Sequence, residues 1–102
     1  MSEQKGSLFH IIMWNYRDDV PEDERDRLEA DLLELQQKIP TLKGVHAGPV
    51  TGGRNQSYSH CFVMLFDDQA GLDAYTRHPE HERFASSFRA ACVVQVVVDF
   101  SG

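Results

Sequence analysis

Three segments of the chain carry apolar residues at consecutive positions, where a half-solvated strand would alternate apolar with polar. Leu8 to Tyr16 (LFHIIMWNY), Ser59 to Phe66 (SHCFVMLF) and Cys92 to Phe100 (CVVQVVVDF) are rich in aromatic and β-branched residues and predict strands. Val45 to Val50 predicts a shorter strand. Between the first two, the period changes from two to about 3.6. Leu28, Leu32, Leu35 and Ile39 recur on one helical face, with Arg25, Glu29, Asp31, Glu34 and Lys38 on the solvent side. Asp18, Asp19 and Pro21 announce the start of this helix. Glu22, Asp23 and Glu24 favour the positive end of its dipole, and Pro40 ends it. After Asp67-Asp68, Leu72 and Tyr75 share one face of a second helical region. His78-Pro79 interrupts it, and Phe84 and Phe88 line a following helix. Thr51 to Gln56 is turn-forming, with Gly52 and Gly53 able to take positive φ.

The order β-α-β-β-α-β, with short connections and a right-handed crossover, predicts an α+β fold. The expectation is a ferredoxin-like βαββαβ sandwich, one four-stranded antiparallel sheet with helices on one side. A polar N-terminal tail (1–7) precedes a single domain (8–100), since 102 residues do not supply two cores.

Helices cover one face of such a sheet, so the other should be polar if it meets water. It is not. His60, Phe62, Met64 and Phe66 are opposed by the equally apolar Cys61, Val63 and Leu65. Phe9, Ile11 and Met13 oppose His10, Ile12, Trp14 and Tyr16. In the last strand, Val94, Val96, Val98 and Phe100 are expected on one face, with Val93, Gln95 and Val97 on the other. Two greasy faces predict a homodimer packed through the open sheet face.

A net charge of -6 and scattered basic residues make nucleic acid and anionic membrane surfaces poor partners. No apolar run approaches the ~18 residues of a membrane span, and the N-terminus lacks the apolar core of a signal peptide, which points to the cytoplasm. Cys61 and Cys92 lie in apolar strands and read as buried free thiols.

The segment from Tyr75 to His81 is the most pointed chemically. Pro79 puts His81 in the first turn of a helix, and His81, Phe84 and Phe88 fall at i, i+3 and i+7, on its inward stripe. Burial and the helix N-terminus both disfavour the imidazolium, leaving a neutral base near pH 7, with the Tyr75 phenol nearby. The same pattern also fits a core histidine bonded to backbone beside a core tyrosine. His78 and His81 lack carboxylate or thiolate company, so no metal site is assigned. His10 is a pocket-lining candidate, whereas His60 reads as structural and His46 as exposed. No phosphate loop or dinucleotide fingerprint is present, and no cofactor is expected.

The combination Phe9-His10-Ile11-Ile12, Ile39-Pro40, Tyr58-Ser59-His60, Leu72-Asp73-Ala74-Tyr75, His78-Pro79-Glu80-His81 and Val98-Asp99-Phe100 resembles the stress-responsive dimeric α/β-barrel (Dabb) family over residues 8–100. The resemblance implies a homodimer whose two sheets close into a dimeric α/β barrel. One member of that family is a plant polyketide cyclase that performs an aldol condensation without a cofactor. By resemblance, Tyr75 and His81 hold its catalytic positions and His10 and His60 its strand histidines. The pocket between sheet and helices would involve Ile12, Trp14, Leu28, Leu32, Phe62, Phe84 and Phe88. Trp14 stands where the cyclase has a smaller aliphatic residue, and Leu28 and Leu32 where it has aromatics. Two functions follow: a stress-responsive dimer with a pocket for a small apolar or aromatic ligand, or a cofactor-independent cyclase-like enzyme with His81 as base and Tyr75 as carbonyl partner. A cavity touching both residues would favour the second, a filled core the first.

Overall fold

The structure is a computed structural model describing residues 7–52 and 57–102. Its elements are β1 (Leu8–Tyr16), α1 (Glu22–Lys38), β2 (Gly44–Pro49), β3 (His60–Phe66), α2 (Gln69–Arg77), α3 (Pro79–Ala91) and β4 (Cys92–Ser101). The sheet has the order β2-β3-β1-β4, and every neighbouring pair is antiparallel. This is the ferredoxin-like topology. Ser7, expected in the tail, continues the β1–β4 ladder by exchanging both backbone hydrogen bonds with Gly102. Part of the expected Thr51–Gln56 turn lies outside the described residues.

The helices bury the expected stripes. Leu28, Leu32 and Leu35 of α1, Leu72 and Tyr75 of α2, and Phe84 and Phe88 of α3 pack on Trp14, Tyr16, Phe62, Met64 and Phe66 of the sheet. Asp68 caps α2 by accepting the Gly71 N–H, which satisfies one donor of the first turn. Arg25 and Glu29, expected on the solvent side of α1, are half-buried instead. The Tyr16 hydroxyl donates to Glu29 Oε2 at 2.6 Å, and the Arg25 guanidinium lies over the Tyr16 ring. Helical spacing alone misplaces them because a buried phenol draws polar side chains to its edge.

One irregularity matters for function. Met13 pairs with Val96 but Trp14 pairs with Val94, so β4 carries one extra residue, a β-bulge. The bulge breaks the alternation expected for β4 between Val94 and Val96, and leaves it intact from Val96 to Phe100. Val94 shares the helix face with Trp14, separated from Val96, Val98 and Phe100. Val97 lies opposite Ile12, and Asp99 opposite His10. The open face keeps Phe9, Ile11, Met13, Cys61, Val63, Leu65, Val96, Val98 and Phe100, with Phe9 stacked on Phe100. No helix covers it. Both cysteines are free thiols, and burial pushes the Cys92 thiol up to about 12. No helix among the described residues is long and apolar enough to cross a membrane.

Candidate functional site

The break between α2 and α3 is built by His78 and Pro79. His78 is extended, and its Nδ1 accepts the Glu80 N–H at 3.1 Å, capping α3, while Pro79 takes the first helical position where no amide donor is needed. That nitrogen is therefore occupied by the cap, and among the described residues no group of three or more His, Cys, Asp or Glu side chains converges as metal ligands would.

The break turns Tyr75, the last inward residue of α2, toward His81 in the first turn of α3. Their ring centroids are 4.5 Å apart. Tyr75 is 3% exposed, and its hydroxyl has no hydrogen-bond partner among the described residues. Burial raises the phenol well above its ordinary value of 10, so it remains a donor at any physiological pH. His81 is half-buried rather than fully enclosed. Its Nδ1 lies 3.0 Å from the Thr76 carbonyl, an acceptor only, so Nδ1 carries the proton and Nε2 of the neutral ring keeps its lone pair. Burial is the main cause lowering its pKa below 6.5. The charges of His10 and Arg89 act in the same sense, and the Thr76 carbonyl and Glu82 oppose them. The bond to the Thr76 backbone thus sets the tautomer that leaves the Nε2 lone pair unprotonated.

A cavity of about 210 Å³ opens beside this pair, between the sheet and α2–α3. Of the residues expected around a pocket, His10, Ile12, Phe62, Tyr75, His81, Phe84 and Phe88 line it. Three do not. Trp14 is 1% exposed and packs among His60, Phe62 and Phe88 as part of the core. Leu32 is fully buried, and Leu28 borders a separate groove between α1 and α3 with Glu24, Arg27 and Ser87. The leucine stripe of α1 fills the core, so it does not reach the cavity.

Ala85, Arg89, Val94 and Val97 also line the cavity. Val94 arrives there through the bulge, which strict alternation does not reveal, whereas Val97 keeps the face that alternation gives it. Asp99, on the same side of the bulge as Val97, lies opposite His10, whose Nδ1 hydrogen-bonds Asp99 Oδ1. With a carboxylate as acceptor, Nδ1 donates, and the ring is oriented from the sheet side. His60 is remote from this group. It pairs opposite Trp14, four residues along β1 from His10, and stacks on the indole. His46 is exposed.

The family model described as "Stress responsive A/B Barrel Domain" (Dabb) matches residues 8–102. The stress-response A/B barrel domain-containing protein HS1 of Arabidopsis thaliana is 28% identical over 98% of this chain and 94% of its own length. Olivetolic acid cyclase of Cannabis sativa is 22% identical over 90% of this chain and 93% of its own. Among solved structures, the hydroxynitrile lyase of Passiflora edulis superposes with a TM-score of 0.90 at 23% identity, covering 97% of this chain and 95% of that one. A dimeric ferredoxin-like protein of Jannaschia sp. CCS1 superposes with a TM-score of 0.80 at 30% identity, covering 93% and 98%. With the topology, the greasy open sheet face and a family match over nearly its whole length, the chain belongs to the Dabb family of stress-responsive A/B barrel domain proteins.

Proposed function

We propose that this protein is a homodimer whose cavity between sheet and helices takes one small, mostly apolar oxo-compound and moves a proton at the carbon beside its carbonyl. The observation that carries this reading is the placement of Tyr75 and His81 on one cavity with their rings 4.5 Å apart. His81 Nε2 removes the α-proton, and the Tyr75 O–H donates a hydrogen bond to the oxygen that gains charge as the enolate forms. The imidazolium then returns the proton to a different atom of the delocalised enolate, giving isomerisation, or the enolate carbon attacks a second carbonyl of the same molecule and the new alkoxide takes the proton back from His81, giving an aldol-type condensation. Neither outcome calls for a cofactor. The walls of Ile12, Phe62, Phe84 and Phe88 match an apolar or aromatic body, and a dry wall strengthens the hydrogen bond to the developing oxyanion. A cyclase among the relatives makes such chemistry compatible with the fold.

The dimer reading rests on the uncovered apolar face and on the dimeric ferredoxin-like proteins among similar structures. The most direct test of the chemistry needs no knowledge of the natural substrate. The protein is incubated with acetophenone or benzoylacetone in D₂O, and loss of the α-proton signal is followed by NMR. Exchange faster than in matched buffer is expected; exchange at the buffer rate would leave a binding protein without proton-transfer activity.

A further inference from the structure

Two recesses lie on the helix face of the sheet, and a single side chain stands between them. The first is the cavity of Tyr75 and His81. The second, about 500 Å³ and open to solvent, lies between α1 and the far end of β1 and β3, bordered by Tyr16, Arg25, Glu29 and His60. Its walls are polar and mutually engaged. The Tyr16 hydroxyl donates to Glu29, His60 Nε2 lies 3.8 Å from the same carboxylate oxygen, and Ser59 Oγ is 2.9 Å from His60 Nδ1.

Trp14 is the partition. On one side its indole stacks on His60 at 5.5 Å and meets Tyr16 edge-on at 6.0 Å, both residues of the polar recess. On the other it contacts Phe62 at 5.7 Å and Phe88 at 5.2 Å, both residues of the cavity wall, and pairs across the ladder with Val94, a third. Its buried Nε1 lies near the Tyr16 hydroxyl but makes no well-formed hydrogen bond among the described residues, so packing on both sides holds the ring in place.

We infer that Trp14 is a specificity-determining residue that closes the inner end of the cavity and restricts its ligand to a single ring or a short branched carbonyl compound. The inference rests on the proposed role of the Tyr75–His81 cavity and adds the size class of its ligand. A dry cavity of about 150 Å³ accommodates benzene. The volume here, about 210 Å³, therefore takes a body of roughly six to ten non-hydrogen atoms. A longer chain meets Phe62 and Phe88, which the indole backs and holds in place, and has to leave past Val97, which is 55% exposed at the mouth, into water.

Alkyl phenyl ketones from acetophenone to octanophenone test this, with affinity measured by calorimetry and the site verified by NMR shifts of the His81 ring. Each methylene buried in an apolar pocket tightens binding about fourfold. In the wild type the gain should stop within one or two methylenes of acetophenone and stay level afterwards. In Trp14→Leu the climb should continue, leaving hexanophenone on the order of tenfold tighter than in the wild type. Trp14→Phe, which keeps most of the core volume, should shift the limit by less, and it decides the matter with the wild-type profile if Trp14→Leu does not fold. A wild-type affinity that rises steadily to octanophenone, or folded variants with an unchanged profile, would overturn the partition while leaving the binding site intact. Absence of binding by every ketone, or binding that leaves His81 unperturbed, would remove the site and the partition together.

Discussion

Tyr75 and His81 belong to different helices, yet their rings stand 4.5 Å apart because Pro79 separates α2 from α3 and reorients the chain between them. Neither ring is anchored by the other. His81 is held through Nδ1 by the Thr76 carbonyl, and Tyr75 by packing on Phe66 and the core. The phenol oxygen and Nε2 are thereby left without a hydrogen-bond partner among the described residues, free for the proposed chemistry. His81→Ala should lower α-proton exchange by about 10²–10⁴-fold, the usual cost of losing a general base. Its melting temperature should change little, since the ring is only half-buried. Tyr75→Phe keeps the packing and removes the donor, so exchange should fall while ligand binding is mostly retained. NMR exchange rates and thermal melts of both variants check this.

The acid–base state of His81 gives a second expectation. Its pKa is lowered below 6.5, chiefly by burial. The folded protein therefore holds the proton less well than the unfolded chain, which takes it up first as pH falls. The contribution to stability is complete above about 6.5 and is lost as pH drops through the folded value. Exchange activity, which needs neutral His81, should decline on the same acidic limb. A ring-proton NMR titration placing His81 at or above the free imidazole value would contradict the assignment.

The strand and helix order, the greasy open face and the Tyr75–His81 pair were all legible in the chain, because each rests on spacing within one element or across one proline. What spacing could not show depended on tertiary context. The β4 bulge moves Val94 to the helix face, away from Val96, Val98 and Phe100, and nothing local in Cys92 to Phe100 marks an extra residue in a valine run. Arg25 and Glu29 look solvent-facing until Tyr16 is placed beside them. Trp14 has the right face for a pocket wall, but its size decides otherwise: a ring that large fills the space between His60 and Phe88 and becomes core.

The uncovered sheet face yields a third expectation. Val96 points from β4 to that face, opposite Met13 and in line with Val98 and Phe100. If a second copy packs on this face as proposed, Val96→Asp would place a carboxylate in that interface, with no counter-charge on this face of β1, β3 or β4 among the described residues to pair with it. The variant should aggregate or fail to fold. Light scattering that finds a well-folded monomer would argue against pairing through this face.

The polar recess beside α1 supplies a stability prediction. The Tyr16 hydroxyl, shifted above its ordinary value by burial and then by Glu29, stays protonated and makes a charge-assisted bond to that carboxylate at 2.6 Å. Tyr16→Phe should cost about 1–2 kcal/mol, a drop of roughly 4–8 °C or more in Tm for a domain of this size. Glu29→Gln retains an acceptor and should cost less. Equal melting temperatures for Tyr16→Phe and the wild type would show that water replaces the bond without loss.

A crystal structure of the protein with acetophenone bound tests the proposed roles of Tyr75 and His81. The ketone should lie in the cavity between sheet and helices, its carbonyl oxygen roughly 2.6–3.2 Å from the Tyr75 hydroxyl, its methyl carbon facing His81 Nε2 and its ring against Phe62 and Phe88. A ketone bound elsewhere, or a cavity closed by inward rotation of Tyr75 or Phe84 with no room for a ligand, would contradict those roles.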